Sequence, residues 1–162
     1  MSGVHPMDVT NLAKAEIYGK YADQLVRFAT GLVGPSDSRD IVASAVVSTM
    51  WSPNWDSDAN ERAYLYKAVL NEARMHYRGQ GRRWAAEIKA AGQTAFTQIP
   101  EVRPDVLAAV AKLSVSQRAV VFLAYWEDMR PAEIARTLGV SDGTVHRQLG
   151  RAEKRLRRIL HD

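Results

Sequence analysis

The chain has 162 residues, 46% of them hydrophobic, with a formal charge of +4 and no cysteine. That length sets one ordinary domain or two small ones, the missing thiols exclude disulfides, thiolate metal sites and thiol nucleophiles, and no apolar run approaches the roughly 18 residues of a membrane span. His5, His76, His146 and His161 lack metal-ligand spacing, and "MSGVHPMDVT" has neither the basic start nor the apolar stretch of a secretion signal. The expectation is a cytoplasmic protein with no metal, no cofactor and no membrane insertion.

From Leu12 to Val33 the apolar positions recur at three and four residues, the mark of an amphipathic helix, which Gly34 and Pro35 stop. Ser36 or Asp37 then caps a second helix running from Ile41 to Trp51 and ended by Pro53. Its Val- and Ala-rich sequence allows a strand locally, but a length of about a dozen residues favours a buried helix. "SPNWDSDAN" reads as a polar loop, and a third helix is predicted from Asn60 to Arg78, ended by Gly79 and Gly81. The stretch Trp84–Pro104 has no sustained period and reads as a flexible linker. Beyond it four helices are predicted, over Val106–Leu113, Ser116–Trp126, Pro131–Leu138 and Asp142–Leu160, with breaks near Ser114, Asp128 and Gly139. The fold class is therefore all-α: two small helical modules, 10–83 and 105–162, joined by the linker 84–104 rather than built on one continuous core.

Charge is clustered. Arg147 to Arg158 holds six Arg or Lys against one acid, Glu153, and Arg74, Arg78, Arg82 and Arg83 close the first half. Such clusters favour a polyanionic partner, with a solvated helix face as the plain alternative. The segment "RPAEIARTLGVSDGTVHRQLGRAEKRL" sharpens the choice. Pro131 suits a first helical turn, Ile134, Ala135 and Leu138 make a short apolar face, Gly139 ends that helix, and Ser141 caps the next. This is the grammar of a helix-turn-helix. At about 100° per residue, Val145, Leu149, Ala152 and Leu156 share one side of the second helix, and Arg147, Arg151, Lys154 and Arg158 share the other. Set in a major groove, such a helix reads bases near its start and grips phosphates with flanking charge. Asp142, Thr144, His146, Arg147 and Gln148 are the candidate base readers, and Arg151, Lys154 and Arg155 the candidate phosphate contacts. Gly150 projects onto the outer side.

Over Asp105–Leu160 these residues resemble region 4 of the extracytoplasmic-function class of bacterial sigma factors. The shared features are Gln117-Arg118, Trp126-Glu127, Glu133 to Ala135, Leu138-Gly139, Thr144-Val145 and Arg151-Ala152. Similar helices occur in response-regulator output domains, so the first half discriminates. Tyr18–Arg83 resembles sigma region 2: "YADQLVRFATGLVG" is similar to its first helix, "DSRDIVASAVVSTMW" to its polymerase-clamp helix, and "ERAYLYKAVLNEARMHYRGQGRR" to its final promoter helix. The resemblance implies recruitment of core RNA polymerase through its clamp helices and flap. It also implies a minus-35 element read as duplex, an unpaired minus-10 strand, and an anti-sigma factor as partner. It places Asp37, Arg39 and Asp40 against the clamp helices. Asn54, Trp55 and Asp56 in the loop, followed by Asn71, Arg74, His76, Tyr77, Arg78, Arg82 and Arg83, face the minus-10 element, where an unstacked base needs aromatic and hydrogen-bonding residues beside positive charge.

Two positions depart from the pattern: Ala43 and Ser44 stand where the family carries Gln-Glu, implying a weaker or differently built clamp contact, and Ser114 stands where proline is common. A flexible linker over Trp84–Pro104 spans roughly 25 Å, whereas the two promoter elements lie roughly 60 Å apart. Weak DNA binding by the free chain, and specific binding as holoenzyme, is the expectation. The alternative is a dimeric helix-turn-helix repressor or activator. An enzyme is not expected, because no Gly-rich phosphate loop or nucleophile-base pair is present, and Asp37, Asp40, Asp56 and Asp58 are too dispersed for a metal.

Overall fold

Pro6, whose missing N–H costs nothing in a first turn, begins α1, which spans Pro6–Val33 in a computed structural model that describes residues 6–50, 61–91 and 104–161. The helix stops at Gly34, whose φ of 90° only glycine adopts cheaply and whose N–H closes on the Thr30 carbonyl at 3.0 Å. α2 (Ser38–Met50) follows. Asp37 is its N-cap residue, its carbonyl accepting from the Ile41 N–H at 3.0 Å, while Ser38 turns inward and donates to the Pro35 carbonyl. Leu25, Phe28, Ala29 and Leu32 of α1, Ile41, Val42 and Ala45 of α2, and Leu65, Tyr66, Val69 and Leu70 of the third helix, α3 (Glu61–Ala91), form one apolar core.

α3 spans Glu61–Ala91 and corrects the predicted end at Arg78. Gly79 and Gly81 do not stop it. Each costs about 1 kcal/mol in a helix interior, and the Arg, Gln, Ala and Trp around them are adequate helix formers without a proline to break the run. The first part of the expected linker, Trp84–Ala91, is therefore helical, and 92–103 lies outside the described residues.

The second half contains α4 (Pro104–Ala111), α5 (Val115–Tyr125), α6 (Pro131–Leu138) and α7 (Asp142–His161). Ser114 is a gain here. Its hydroxyl accepts from the Gln117 N–H, and the Gln117 side chain accepts from the Ser114 N–H, both at 3.2 Å, a reciprocal capping box that starts α5.

One apolar cluster runs from α1 and α3 into α5 and α6, because α5 packs on α1 while α4 and α6 pack on α3. Phe28 lies 4.8 Å from Tyr66 and 5.8 Å from Phe122, ring to ring, and Phe122 stacks on Trp126 at 5.7 Å. Arg118, only 4% exposed, donates to the Leu32 carbonyl at 2.6 Å and the Ala111 carbonyl at 2.9 Å. Both acceptors belong to last turns, α1's and α4's, whose carbonyls lack helical partners and carry the negative end of the helix dipole. Glu127 sits between Arg27 and Arg62, each 3.7 Å away. Its carboxyl is raised above the ordinary range because desolvation outweighs the attraction of the two arginines. These ion pairs align the halves rather than add net stability.

Arg118→Met strands two buried carbonyls and is expected to lower the unfolding free energy by about 3 kcal/mol in urea titration. A loss indistinguishable from zero would refute the double cap. Burial first, and the nearby Glu127 charge second, push the Tyr66 phenol from 10.0 up to about 12. The unfolded chain releases that proton earlier, so stability falls as pH rises from 10 towards 12. Tyr66→Phe should remove that part of the slope in denaturation series across this window.

Candidate nucleic-acid interface

Arg130 is extended and Pro131 opens α6, which Gly139 ends in the left-handed region at φ 69°. The Gly139 and Val140 N–H groups both turn back to the Ala135 carbonyl, so the chain reverses within three residues. Ser141 then starts α7, its hydroxyl accepting from the Thr144 N–H at 3.2 Å. Ile134, Ala135 and Leu138 of α6 and Val145 and Ala152 of α7 are buried, with Leu149 and Leu156 half-buried, as the periodicity indicates. The two helices are thereby locked as a helix-turn-helix.

The outward face of α7 carries every cation the sequence placed there. Arg147, Arg151, Lys154, Arg155, Arg157 and Arg158 are exposed, as are Asp142 and His146, with Thr144 and Gln148 half-buried. Ser141 and Thr144 share a hydroxyl contact at 2.8 Å, and Arg147 donates to the Thr144 hydroxyl at 3.3 Å. The capped turn thus holds one guanidinium at the start of the helix. Glu153, the acid within the basic run, accepts from the Tyr125 hydroxyl at 2.6 Å, which draws it towards α5. That bond, more than burial or the Glu153 charge, raises the Tyr125 phenol. A Cβ at Gly150 would meet nothing within 4 Å, which leaves the outer face open there.

A second cationic area lies on α3. Asn71 and Arg74 are exposed on it, and Asn71 lines a cleft of about 480 Å³ between α2 and α3, together with Ser48, Thr49, Tyr64, Lys67, Glu72 and Met75. Tyr64 therefore faces the cleft while Tyr66 is core. Asn54, Trp55 and Asp56 lie outside the described residues, as do the side chains of Tyr77, Arg78, Arg82 and Arg83 on the helical continuation of α3. The clamp set divides. Arg39 and Asp40 are exposed on α2, next to the exposed Ala43, Ser44 and Val47, but Asp37 points at His76, Oδ2 to Nε2 at 3.2 Å. A residue read as a polymerase contact and one read as a promoter contact thus form one pair.

Arg118, Glu127 and Lys67 carry geometry that the sequence reading did not assign. An arginine amid the apolar residues of α5 was the signal available for the first. What it bonds to lies far away along the chain. Among the described residues no His, Cys, Asp or Glu cluster could hold a metal, and no helix is long and apolar enough to cross a membrane.

The family described as Sigma-70, region 4 matches residues 103–156. An RNA polymerase sigma-E factor of Streptomyces avermitilis is 33% identical over 144 residues, covering 85% of this chain and 79% of that protein. ECF RNA polymerase sigma factor SigL of Mycobacterium tuberculosis is 28% identical, covering 90% and 88%. The sigma factor RpoE of Bartonella quintana, solved with the anti-sigma factor NepR, superposes with a TM-score of 0.66 at 20% identity, covering 91% and 96%, a likeness of fold.

Ser141→Ala removes the side-chain cap of α7 and is expected to cost about 1 kcal/mol, a fall of roughly 3 °C in melting temperature. An unchanged melt would show that the hydroxyl does not support the turn.

Proposed function

The chain belongs to the extracytoplasmic-function class of RNA polymerase sigma factors, and from that premise we propose how its two halves divide the work of starting transcription. Residues 105–162 read the minus-35 element as duplex. Residues 10–83 bind core polymerase and receive the minus-10 element, and the segment from 84 to 104 joins them. The observation that carries the reading is the capped start of α7 beneath an exposed cationic face. Arg147, held by Thr144, reaches base edges together with Asp142, His146 and Gln148, while Arg151, Lys154 and Arg155 hold phosphates. Family membership does not favour the dimeric repressor reading.

On the other half, Asn54, Trp55 and Asp56 with Asn71, Arg74, His76, Tyr77, Arg78, Arg82 and Arg83 serve the minus-10 element. The cleft beside Asn71 is large enough for one unstacked base. Arg39 and Asp40, with Asp37, meet the polymerase clamp helices across the small side chains of Ala43 and Ser44. Binding and orientation of DNA, without covalent chemistry, suffice for this role. The work is done in the cytoplasm, and an anti-sigma factor holds the chain inactive until a signal releases it.

Run-off transcription with purified core polymerase tests the reading. Promoter-dependent transcripts are expected only when the chain is added, and Arg147→Glu with Arg151→Glu should lower them about tenfold or more. Arg151→Ala alone should reduce the logarithmic salt dependence of duplex binding by about one unit. Transcripts indifferent to both reversals would sink the assignment of α7.

A further inference from the structure

Arg147 stands in the second turn of α7, and the side chains within its reach along that helix are those three and four residues away. They are Gly143, Thr144, Gly150 and Arg151. None is an acid, and Arg151 is an exposed like charge one turn on, which disfavours the arginine in the free chain. Neither glycine is called for by the fold: each has an ordinary helical backbone, and a Cβ at either position would meet nothing within 4 Å. Of the four neighbours Thr144 alone carries an acceptor, and it is the one that Arg147 uses.

The Thr144 hydroxyl is itself fixed. It shares a hydrogen with the Ser141 hydroxyl at 2.8 Å, and the Thr144 N–H donates to that same Ser141 oxygen at 3.2 Å, the contact that caps the helix. An arginine can only donate, so the 3.3 Å contact runs from Nη2 of Arg147 to the Thr144 oxygen. Ser141, Thr144 and Arg147, at steps of three residues, thus extend the cap of α7 into its first outward cation. At 100° per residue Gly143, Arg147 and Gly150 fall within about 60° of one another, on the side opposite the buried Val145 and Ala152. Arg151 and Arg155 are turned about 40° and 80° further round. A helix laid in a major groove presents its outermost ridge to base edges and its flanks to the strands. Arg147 occupies that ridge, and the glycines one turn before and after it leave no side chain between α7 and the bases on either side.

We propose that Arg147 reads a guanine in the minus-35 element and that Thr144 is its positioning residue, aiming the guanidinium through the Ser141 cap before DNA arrives. The proposal rests on the reading of α7 given above and adds to it a base and the group that orients its reader. Guanine is the base whose major-groove edge sets two acceptors side by side, N7 and O6, to match the planar fork of an arginine, whereas adenine pairs an acceptor with a donor. A guanidinium that gives one N–H to Thr144 keeps the others for that edge. An arginine without this hold loses its rotamer freedom only on binding. Holding it in advance removes that cost, which corresponds to about two- to tenfold in affinity for the right base.

Core polymerase carrying the full-length chain, offered a pool of duplexes of random sequence and followed by sequencing of the bound molecules, tests the assignment. Wild type should enrich a guanine at one position of the upstream element by about tenfold or more over the other bases. Arg147→Ala should lose that preference at that position alone and leave the downstream element as it was. Thr144→Val, similar in shape but without the acceptor, should weaken the same position about fivefold, and Thr144→Ser should restore it. In the Arg147→Ala background Thr144→Val should change nothing further. A loss in Arg147→Ala that is equal for every sequence and comes with a shallower salt dependence would make Arg147 a phosphate contact and overturn the proposal. So would an Arg147-dependent preference for another base. A Thr144→Val loss that persists without Arg147 would show support of the helix rather than of the reader, and also overturns it. Each of these outcomes leaves the sigma-factor reading standing, because the holoenzyme still selects promoters. If wild type binds no core polymerase or enriches no sequence, that reading falls and takes the proposal with it.

Discussion

Arg118 is an always-charged group placed where almost no water reaches it, and the rest of the arrangement follows from how that charge is satisfied. A buried guanidinium is tolerated only where acceptors converge on it. Here they are the carbonyls of Leu32 and Ala111, in the last turns of one helix from each half. Helix ends are the part of a backbone that has acceptors to spare, so one side chain closes two helices and joins two halves at once. Phe122 can lie beside it only because Gly31 has no side chain to occupy that space.

The helix-turn-helix depends on less. Its geometry is local: a glycine at positive φ, a serine cap three residues before Thr144, and two short apolar faces that bury Ile134, Val145 and Ala152. The glycine and the cap act within a few residues of their partners, while the apolar faces also bury against distant elements, Ala152 beside Val110, Leu113 and Val121. The cationic face of α7 then needs no tertiary partner, because solvent is its alternative to DNA. The long-range hold on α7 includes Tyr125, which draws Glu153 towards α5 and removes a carboxylate from the company of the cations.

The two regions meet at α3. Its inner face, with Tyr66, is the centre of the core, while the next turns supply Lys67, Asn71 and Arg74 to a surface shared by the α2–α3 cleft and by the second half. A helix that serves the core, the cleft and the contact between the halves couples them mechanically. The same coupling brings Asp37 to His76 and takes one acid from the outward face of α2.

What the sequence determined by itself was everything carried by short-range periodicity and capping. The helical class, α6 to the residue, the start of α7, the buried stripe of Val145 and Ala152 and the exposed stripe of Arg147, Arg151 and Lys154 all come from rotation per residue and from local hydrogen bonds. It misplaced the end of α3, because glycine weakens a helix by too little to act as a stop without a proline or a competing turn. Tertiary structure alone decided that the halves share a core, that Arg118 reaches Leu32, that Glu127 lies between two arginines, and that Gly31 is a notch. Those contacts join residues tens of positions apart, and a pattern that repeats every few residues carries no information about which distant surface an apolar face will choose.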